Sequence, residues 1–158
     1  MKYTTLSIFL LGLSILFSSC SSNHSFSSFY KENKEDIQIH VNAPKWLTML
    51  FVPSDDKAEV KRFSKGIKKV KLMVTENENA ENMSKSFDLF TKEHGYTPYM
   101  YINDHDEQIN LMAKQNGDYI TEIVLKYDSS DETVLIGLLG KMHLSTFKDA
   151  LKKASETD

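Results

Sequence analysis

The sequence predicts an α+β fold, in which an antiparallel sheet ends in a C-terminal β-meander and the helices pack mainly on one face of the sheet. Two patterns predict this architecture. From Tyr99 onward, apolar and polar residues alternate with a period of two through short segments separated by turn residues, as in neighbouring antiparallel strands. Before that point, apolar residues recur at helical spacing, and extended segments lie between the helical ones.

Upstream of the meander, helical and extended segments alternate. Residues 25–30 open an amphipathic helix with Ser25 as its cap, and residues 37–41 alternate as in a half-buried strand. Pro44 is well placed in the first turn of a second helix, which ends at Pro53. The buried stripe of this second helix is formed by Trp46, Leu47, Leu50 and Phe51.

A lysine-rich stretch over residues 57–68 predicts a short solvated helix, and residues 70–74 predict a second, more central strand. An acidic and polar loop then precedes a third helix over residues 82–94, for which Gly95 is the expected stop. Residues of this helix at spacings of four, three and four form one buried stripe, namely Met83, Phe87, Phe90 and His94.

The meander is predicted as four strands between Tyr99 and Leu139, followed by a final helix over residues 144–154 with Phe147 and Leu151 facing inward. Turns between the strands are expected at residues 104–106, Asn116-Gly117 and residues 128–131. The Asn-Gly pair is a strong signal for a tight turn that joins two strands.

Cys20 is the only cysteine of the 158 residues, and it directly follows an apolar segment close to the N-terminus. One basic residue, Lys2, an apolar stretch of about a dozen residues and small residues before the cysteine predict a secretory signal. This stretch is shorter than the about 20 residues that span a bilayer. The ending Ser18-Ser19-Cys20 resembles the lipobox of bacterial lipoproteins, in which the sulfur is lipidated and the chain is cut before the cysteine.

These features divide the chain into three parts. Residues 1–19 are a lipoprotein signal peptide, residues 20–25 are the lipidated Cys20 and a polar leash, and residues 26–158 are a single α+β domain. A lipidated Cys20 leaves no thiol for a disulfide, a thiolate metal site or a nucleophile. In enterobacterial lipoproteins an Asp directly after the lipidated cysteine marks retention in the inner membrane, and in Bacteroidetes lipoproteins an acidic cluster resembles a surface-export signal. The leash has neither. The resemblance to lipoproteins therefore implies the bacterial cell envelope, with a lipid anchor in the outer membrane and the domain facing the periplasm.

Charge excludes one class of partner. Because Lys2 lies in the predicted signal, the rest of the chain carries 18 basic and 22 acidic side chains, a balance of −4. This balance, with Arg62 as the only arginine, argues against a nucleic-acid-binding protein. The predicted partners are the membrane, through the lipid anchor, and an envelope protein.

Four stretches of the chain carry a resemblance to a known family. They are residues 26–30, the strand over residues 69–74, the third helix running into Gly95-Tyr96, and residues 135–142 at the end of the meander. Together they resemble a family of Bacteroidetes lipoproteins, the domain-of-unknown-function group 4252 (DUF4252). The resemblance covers nearly all of the chain after Cys20. It implies this fold and this location, and it carries over no activity and no functional residues.

No catalytic or cofactor motif follows Cys20. The chain has no Gly-x-Ser-x-Gly motif, no glycine-rich phosphate loop, and no two histidines spaced by three or four residues as a helical zinc site requires. Residues 104–107, Asp-His-Asp-Glu, are the densest group of potential metal ligands. Neighbouring strand residues point to opposite faces, however, and a solvated hairpin turn explains the group. We therefore predict no enzyme activity, no catalytic residue, no metal and no cofactor.

Two surface patterns have a functional and an ordinary interpretation. Lysines between residues 57 and 71 suit anionic lipid headgroups, but acidic residues interrupt them, which favours a solvated helix face. Tyrosines in or near the meander suit either a contact surface or ordinary sheet packing. They are Tyr96, Tyr99, Tyr101, Tyr119 and Tyr127.

Two hypotheses for function remain. The first is a non-enzymatic, lipid-anchored protein that binds a protein or another envelope component through one face of its sheet. The alternative is a carrier or sensor of an apolar ligand held between the sheet and its helices. The residues expected to line that space are Trp46, Leu50, Phe87, Phe90 and Leu138.

Overall fold

A computed structural model describes residues 24–44 and 64–155 of the chain. One antiparallel sheet has its strands in the order β1-β2-β6-β5-β4-β3. The strands are β1 (Ile39–Pro44), β2 (Ile67–Glu76), β3 (Tyr96–Asp104), β4 (Glu107–Asn116), β5 (Tyr119–Asp128) and β6 (Glu132–His143). The helices are α1 (Phe26–Glu32), α2 (Glu78–Glu93) and α3 (Leu144–Ser155). The α+β prediction is confirmed. The predicted signal and Cys20 lie outside the described residues, as do residues 45–63. The expected start of the second helix is wrong, because Ala43 and Pro44 belong to β1 and pair with β2. The described end of the predicted lysine-rich helix is a 3-10 turn over Ser64–Gly66, followed directly by β2.

The predicted meander is present as β3 to β6, each strand paired antiparallel with the next. Asn116 pairs with Tyr119, so the tight turn consists of Gly117 and Asp118. Gly117 has a φ of 58°, a conformation that glycine adopts without a steric penalty. β6 also pairs with β2, and this long-range pairing joins the meander to the first half of the chain.

Two of the three described helices pack on the same face of the sheet, as predicted. The apolar sides of α1 and α2 form one core cluster with Met73, Met112, Val124 and Leu135 from the sheet. The ring of Phe26 lies directly over Gly137, where a Cβ atom would approach its Cδ1 to 2.1 Å. A glycine therefore lies where the ring of Phe26 contacts the sheet and leaves no space for a side chain.

Helix α2 begins at Glu78, four residues before the predicted start. The segment before residue 82 is acidic and polar, which favoured a loop. Acidic side chains nevertheless stabilise a first helical turn, because they interact favourably with the positive end of the helix dipole. Glu78 and Glu81 occupy that turn. Ala80 in the same turn is 4% exposed, so tertiary packing also holds this turn in place.

A buried carboxyl group fixes the start of α1 to the sheet. Glu122 Oε2 accepts a hydrogen bond of 2.7 Å from the Phe26 backbone N–H and one of 2.6 Å from the Tyr96 hydroxyl. Glu122 and Tyr96 are both 8% exposed. Burial, and then the hydrogen bond to Glu122, raise the pKa of Tyr96 far above its ordinary value.

Because of this contact, we expect the protein to lose stability at high pH. We expect the Tyr96→Phe variant to lose less. The raised pKa means that Tyr96 loses its proton more easily in the unfolded chain than in the folded one. Its stabilising effect is therefore complete below pH 10 and falls as the pH rises above that value. We expect Tyr96→Phe to cost about 1–3 kcal/mol at neutral pH, because Glu122 then keeps only one donor, and to flatten the loss above pH 10.

Urea unfolding between pH 7 and pH 11 measures both effects. Tyr101→Phe is the matched control, because Tyr101 lies on the same strand and is 57% exposed. A Tyr96→Phe variant that follows the wild-type pH profile above pH 10 would contradict the assignment of that loss to Tyr96.

Candidate functional site

Two rows of apolar side chains cross the whole sheet. In the first row, register neighbours on successive strands are Val41, Leu72, Ile136, Leu125, Leu111 and Met100. In the second row they are Ile39, Val74, Val134, Tyr127, Ile109 and Ile102. Alternate residues of a strand share a face. Met73 lies beneath α1 and α2, and its neighbours Leu72 and Val74 belong to the two rows, so both rows lie on the opposite face of the sheet. We term these two rows the open ladders.

Helix α3 packs on the same face, nearer the end of the strands that contains His143. Phe147 is 1% exposed and belongs to a second core cluster with Ile67, Ala113, Ile120, Ile123 and Met142. Leu111 at the centre of the ladders also packs against this cluster. One part of this sheet face is therefore core, and the open ladders continue its apolar surface toward the other end of the strands.

The outer strands expose the ladders most. Ile39 and Val41 on β1 are 52% and 42% exposed, and Met100 and Ile102 on β3 are 37% and 46% exposed. Most side chains between them are half-buried by their neighbours in the sheet. Six strands have five spacings of about 4.8 Å, so the apolar band extends about 24 Å between its outermost strands.

A band of this kind is suited to contact with another protein. Contiguous apolar patches of a few hundred Å² on a soluble domain commonly mark interaction sites. The ladders carry no charged side chain, and Tyr127 adds an aromatic ring with a polar tip, a residue type enriched in interfaces. The open ladders can bind a partner by burial of apolar area, and none of their side chains is positioned for a reaction.

Other exposed apolar residues stand singly. Leu89 on α2 is 60% exposed, and Tyr101, which alternates with the ladder residues of β3, is 57% exposed. Single exposed apolar residues are normal on a protein surface. These two positions therefore serve as controls for the ladders.

The face beneath α2 contains a polar network with a structural role. Lys126, 4% exposed, lies 2.6 Å from an Asp88 carboxylate oxygen and 2.9 Å from an Asp128 oxygen. Asp128 accepts further hydrogen bonds from the hydroxyls of Ser84 and Thr133. These contacts join α2 to β5 and β6, and they satisfy the charge of the buried lysine.

Next to this network is an open polar depression of about 270 Å³ at the end of the sheet where β3 and β5 finish. It is lined by Glu81, Ser84, Asp106, Gln108, Asp128, Ser129, Ser130 and Thr133. Within residues 24–44 and 64–155, no three His, Cys, Asp or Glu side chains are grouped as a metal site requires. Residues 104–107, the densest group of potential metal ligands in the sequence, lie at the β3–β4 turn and are exposed.

The residues expected to line a ligand space do not share one space. Phe87 and Phe90 belong to the core cluster beneath α1 and α2. Leu138 packs against the cluster beneath α3, on the other side of the sheet. The sheet itself separates these side chains, and Trp46 and Leu50 lie outside the described residues.

The meander tyrosines are also divided. Tyr96 is buried in the α1–α2 cluster, Tyr99 packs edge-on against Phe147 at 4.8 Å between ring centroids, and Tyr127 belongs to the open ladders. Tyr119 has its ring under the Lys141 ammonium group, 3.9 Å away. Ordinary sheet packing accounts for Tyr96 and Tyr99, and Tyr127 alone takes part in the candidate surface.

The prediction that one sheet face is the contact surface did not name its residues. Alternation within each strand was the available signal for Met100, Ile102 and Ile109. This signal does not show that the apolar rows continue across β5, β6 and β2, because register between distant strands is not a local property. Cys20 lies outside the described residues. Every helix within residues 24–44 and 64–155 is too short or too polar to cross a bilayer.

One comparison with known proteins gives a match. The family model DUF4252, described as a domain of unknown function, matches residues 30–150. This range contains all six strands and α2. No curated protein matches the chain, and no solved structure matches it.

Proposed function

The chain belongs to the DUF4252 family, and from the surface described above we propose that it is a non-enzymatic, lipid-anchored protein of the bacterial cell envelope that binds a protein partner through the open ladders. The ladders carry this proposal. They form an uncharged band across all six strands, and their outermost side chains are 37–52% exposed.

The proposed anchor is a lipid on Cys20. Support for it comes from the sequence: a short apolar segment follows Lys2 and ends at Ser18-Ser19-Cys20. Two or more acyl chains hold a protein stably at a membrane, whereas one chain holds it only marginally. We place the protein in the outer membrane of a Bacteroidetes-type envelope, facing the periplasm, because the leash has neither an Asp after Cys20 nor an acidic cluster.

Site-specific photo-crosslinking tests the binding surface. A benzophenone amino acid at position 102 of the full chain should give a discrete crosslinked protein in cells, whereas the same group at position 101 should not. Ile39→Glu, in the same ladder at the opposite edge of the sheet, should lower the crosslinking yield at position 102 at least tenfold. The reason is that burial of an unpaired carboxylate in an apolar interface is costly.

Leu89→Glu is the matched control, since it adds the same charge at an exposed apolar residue away from the ladders. Its yield should equal that of the wild type. Equal crosslinking from positions 101 and 102 would contradict the proposed surface. A crosslink from position 102 to residues 45–63 of the same chain would show that the protein covers its own ladders, and would also contradict the proposal.

A further inference from the structure

The two ends of the sheet carry opposite charge. The strands run antiparallel, so β1, β4 and β6 finish at the end where β2, β3 and β5 begin. Register neighbours across this end are Pro44, Lys69, Leu139, Glu122, Lys114 and Tyr96. Across the other end they are the residues of the second open ladder, from Ile39 to Ile102.

The first end is basic. The lysines at or beyond its row are Lys65, Lys68, Lys69, Lys114 and Lys141. Among the strand ends and turns described there, the acidic residues are the buried Glu122 and the exposed Asp118. The last turn of α2, which also ends here, adds the exposed pair Lys92 and Glu93. We term this the basic end.

The other end is acidic. The strand ends and turns beyond the second ladder carry Glu76, Asp104, Asp106, Glu107, Asp128, Asp131 and Glu132. The first turn of α2 adds Glu78 and Glu81. The strand ends and turns at the two ends of the sheet therefore differ in the sign of their charge.

The leash leaves the domain at the basic end. The backbone carbonyl of His24 accepts a hydrogen bond from the Lys114 ammonium group. The centroid of the His24 ring lies 4.2 Å from that of the His94 ring. The Phe26 N–H bonds to Glu122 of the same row. Three residues separate His24 from Cys20, and the four steps between their Cα atoms span at most about 14 Å when fully extended.

We infer that the basic end rests on anionic lipid headgroups of the membrane that holds the Cys20 lipid, with the acidic end directed away. This orientation rests on the proposed lipid anchor. The short leash keeps the lysines close to the surface, where screening over a Debye length of about 8 Å still leaves them attracted. The strands then stand upright on the membrane, and the open ladders face sideways, accessible to a partner in the same envelope.

Vesicle binding of the unlipidated mature chain tests the charge distribution without the anchor. Residues 20–158 with Cys20→Ser should bind vesicles containing phosphatidylglycerol in preference to pure phosphatidylcholine at low ionic strength, despite the acidic net charge. Each lysine near such a surface contributes about a fivefold factor to binding. The combined change Lys65→Gln, Lys68→Gln and Lys141→Gln should therefore lower the partition coefficient at least tenfold.

The matched control removes the same charge elsewhere, with Lys31→Gln, Lys34→Gln and Lys85→Gln, all exposed in the structure. It should change binding less than twofold. An equal loss in both variants, or no preference for phosphatidylglycerol, would overturn the inference. Salt-sensitive self-association without vesicle binding would assign the basic end to the acidic end of a second copy, and would also overturn it.

The lipidated protein tests the orientation itself. With the Cys20 thiol consumed, Asp118→Cys or Ser130→Cys supplies the sole thiol, at the basic and the acidic end respectively. A fluorophore at residue 118 should be quenched by headgroup-labelled lipid more strongly than one at residue 130. Equal quenching would contradict the orientation. Failure of lipid attachment would leave the vesicle result standing, so failure of the anchor and failure of the basic end are distinguishable.

Discussion

The Cys20→Ala variant will incorporate no labelled palmitate, whereas the wild-type chain will carry the label and sediment with membranes. Cys20 is the only cysteine of the chain, so its replacement removes every thiol to which a lipid can be attached. Each buried methylene of an acyl chain contributes about 0.8 kcal/mol to membrane binding. The five lysines of the basic end cannot replace two or more such chains. Loss of labelling is therefore expected to be complete.

Metabolic labelling followed by membrane fractionation measures this effect. Ser22→Ala, in the leash, is the control and should be labelled like the wild type. Whether the unlipidated Cys20→Ala precursor leaves the membrane depends on whether another peptidase cuts its signal, so the label is the decisive measurement. A wild-type chain that takes up no label and stays in the soluble fraction would remove the anchor and the proposed location.

The second large effect is on stability, with Phe87→Ala expected to cost about 3–5 kcal/mol. Phe87 is completely buried, and its ring packs against Phe29 at 5.3 Å and Phe26 at 6.0 Å between centroids. Truncation leaves a cavity where α1, α2 and the sheet meet. A domain of this size has a total stability of about 5–15 kcal/mol, so the variant retains only part of it.

Thermal unfolding of the two variants Phe87→Ala and Leu89→Ala measures this prediction. We expect a Tm lower by roughly 10–20 °C for Phe87→Ala. Leu89 is on the same helix and 60% exposed, and its replacement should change the free energy of unfolding by less than about 0.5 kcal/mol. Similar Tm values for both variants would show that α2 is not held by the buried stripe.

This stripe is also a feature that the sequence predicts well. Met83, Phe87 and Phe90 are buried as their spacing indicates, and His94 ends the helix as a half-buried residue. The strands of the meander are predicted equally well, and the tight turn expected at Asn116-Gly117 lies one residue later, at Gly117-Asp118. In each case the signal is local, because the period of a helix or strand and the conformation of a turn depend on residues close in the chain.

The first turn of α2 and the position of α3 show where local signals end. Residues 78–81 look like a loop, and packing of Ala80 together with the helix dipole makes them helical. The sequence places Phe147 and Leu151 on an inward side of α3, and both pack into the core. It does not show that this core lies across the sheet from α1 and α2, because amphipathicity alone does not select a face.

What the sequence by itself determined is the class of fold, most of its elements and the absence of a recognisable catalytic motif, and the lipid anchor stays a prediction from it. Only the tertiary structure decided how β6 returns to pair with β2. That pairing aligns Leu72 with Ile136 and Val74 with Val134, and thereby completes the open ladders. It also gathers distant lysines and carboxylates at opposite ends of one sheet. The physical reason is that strand order and register follow from burial of side chains far apart in the chain, which no local pattern records.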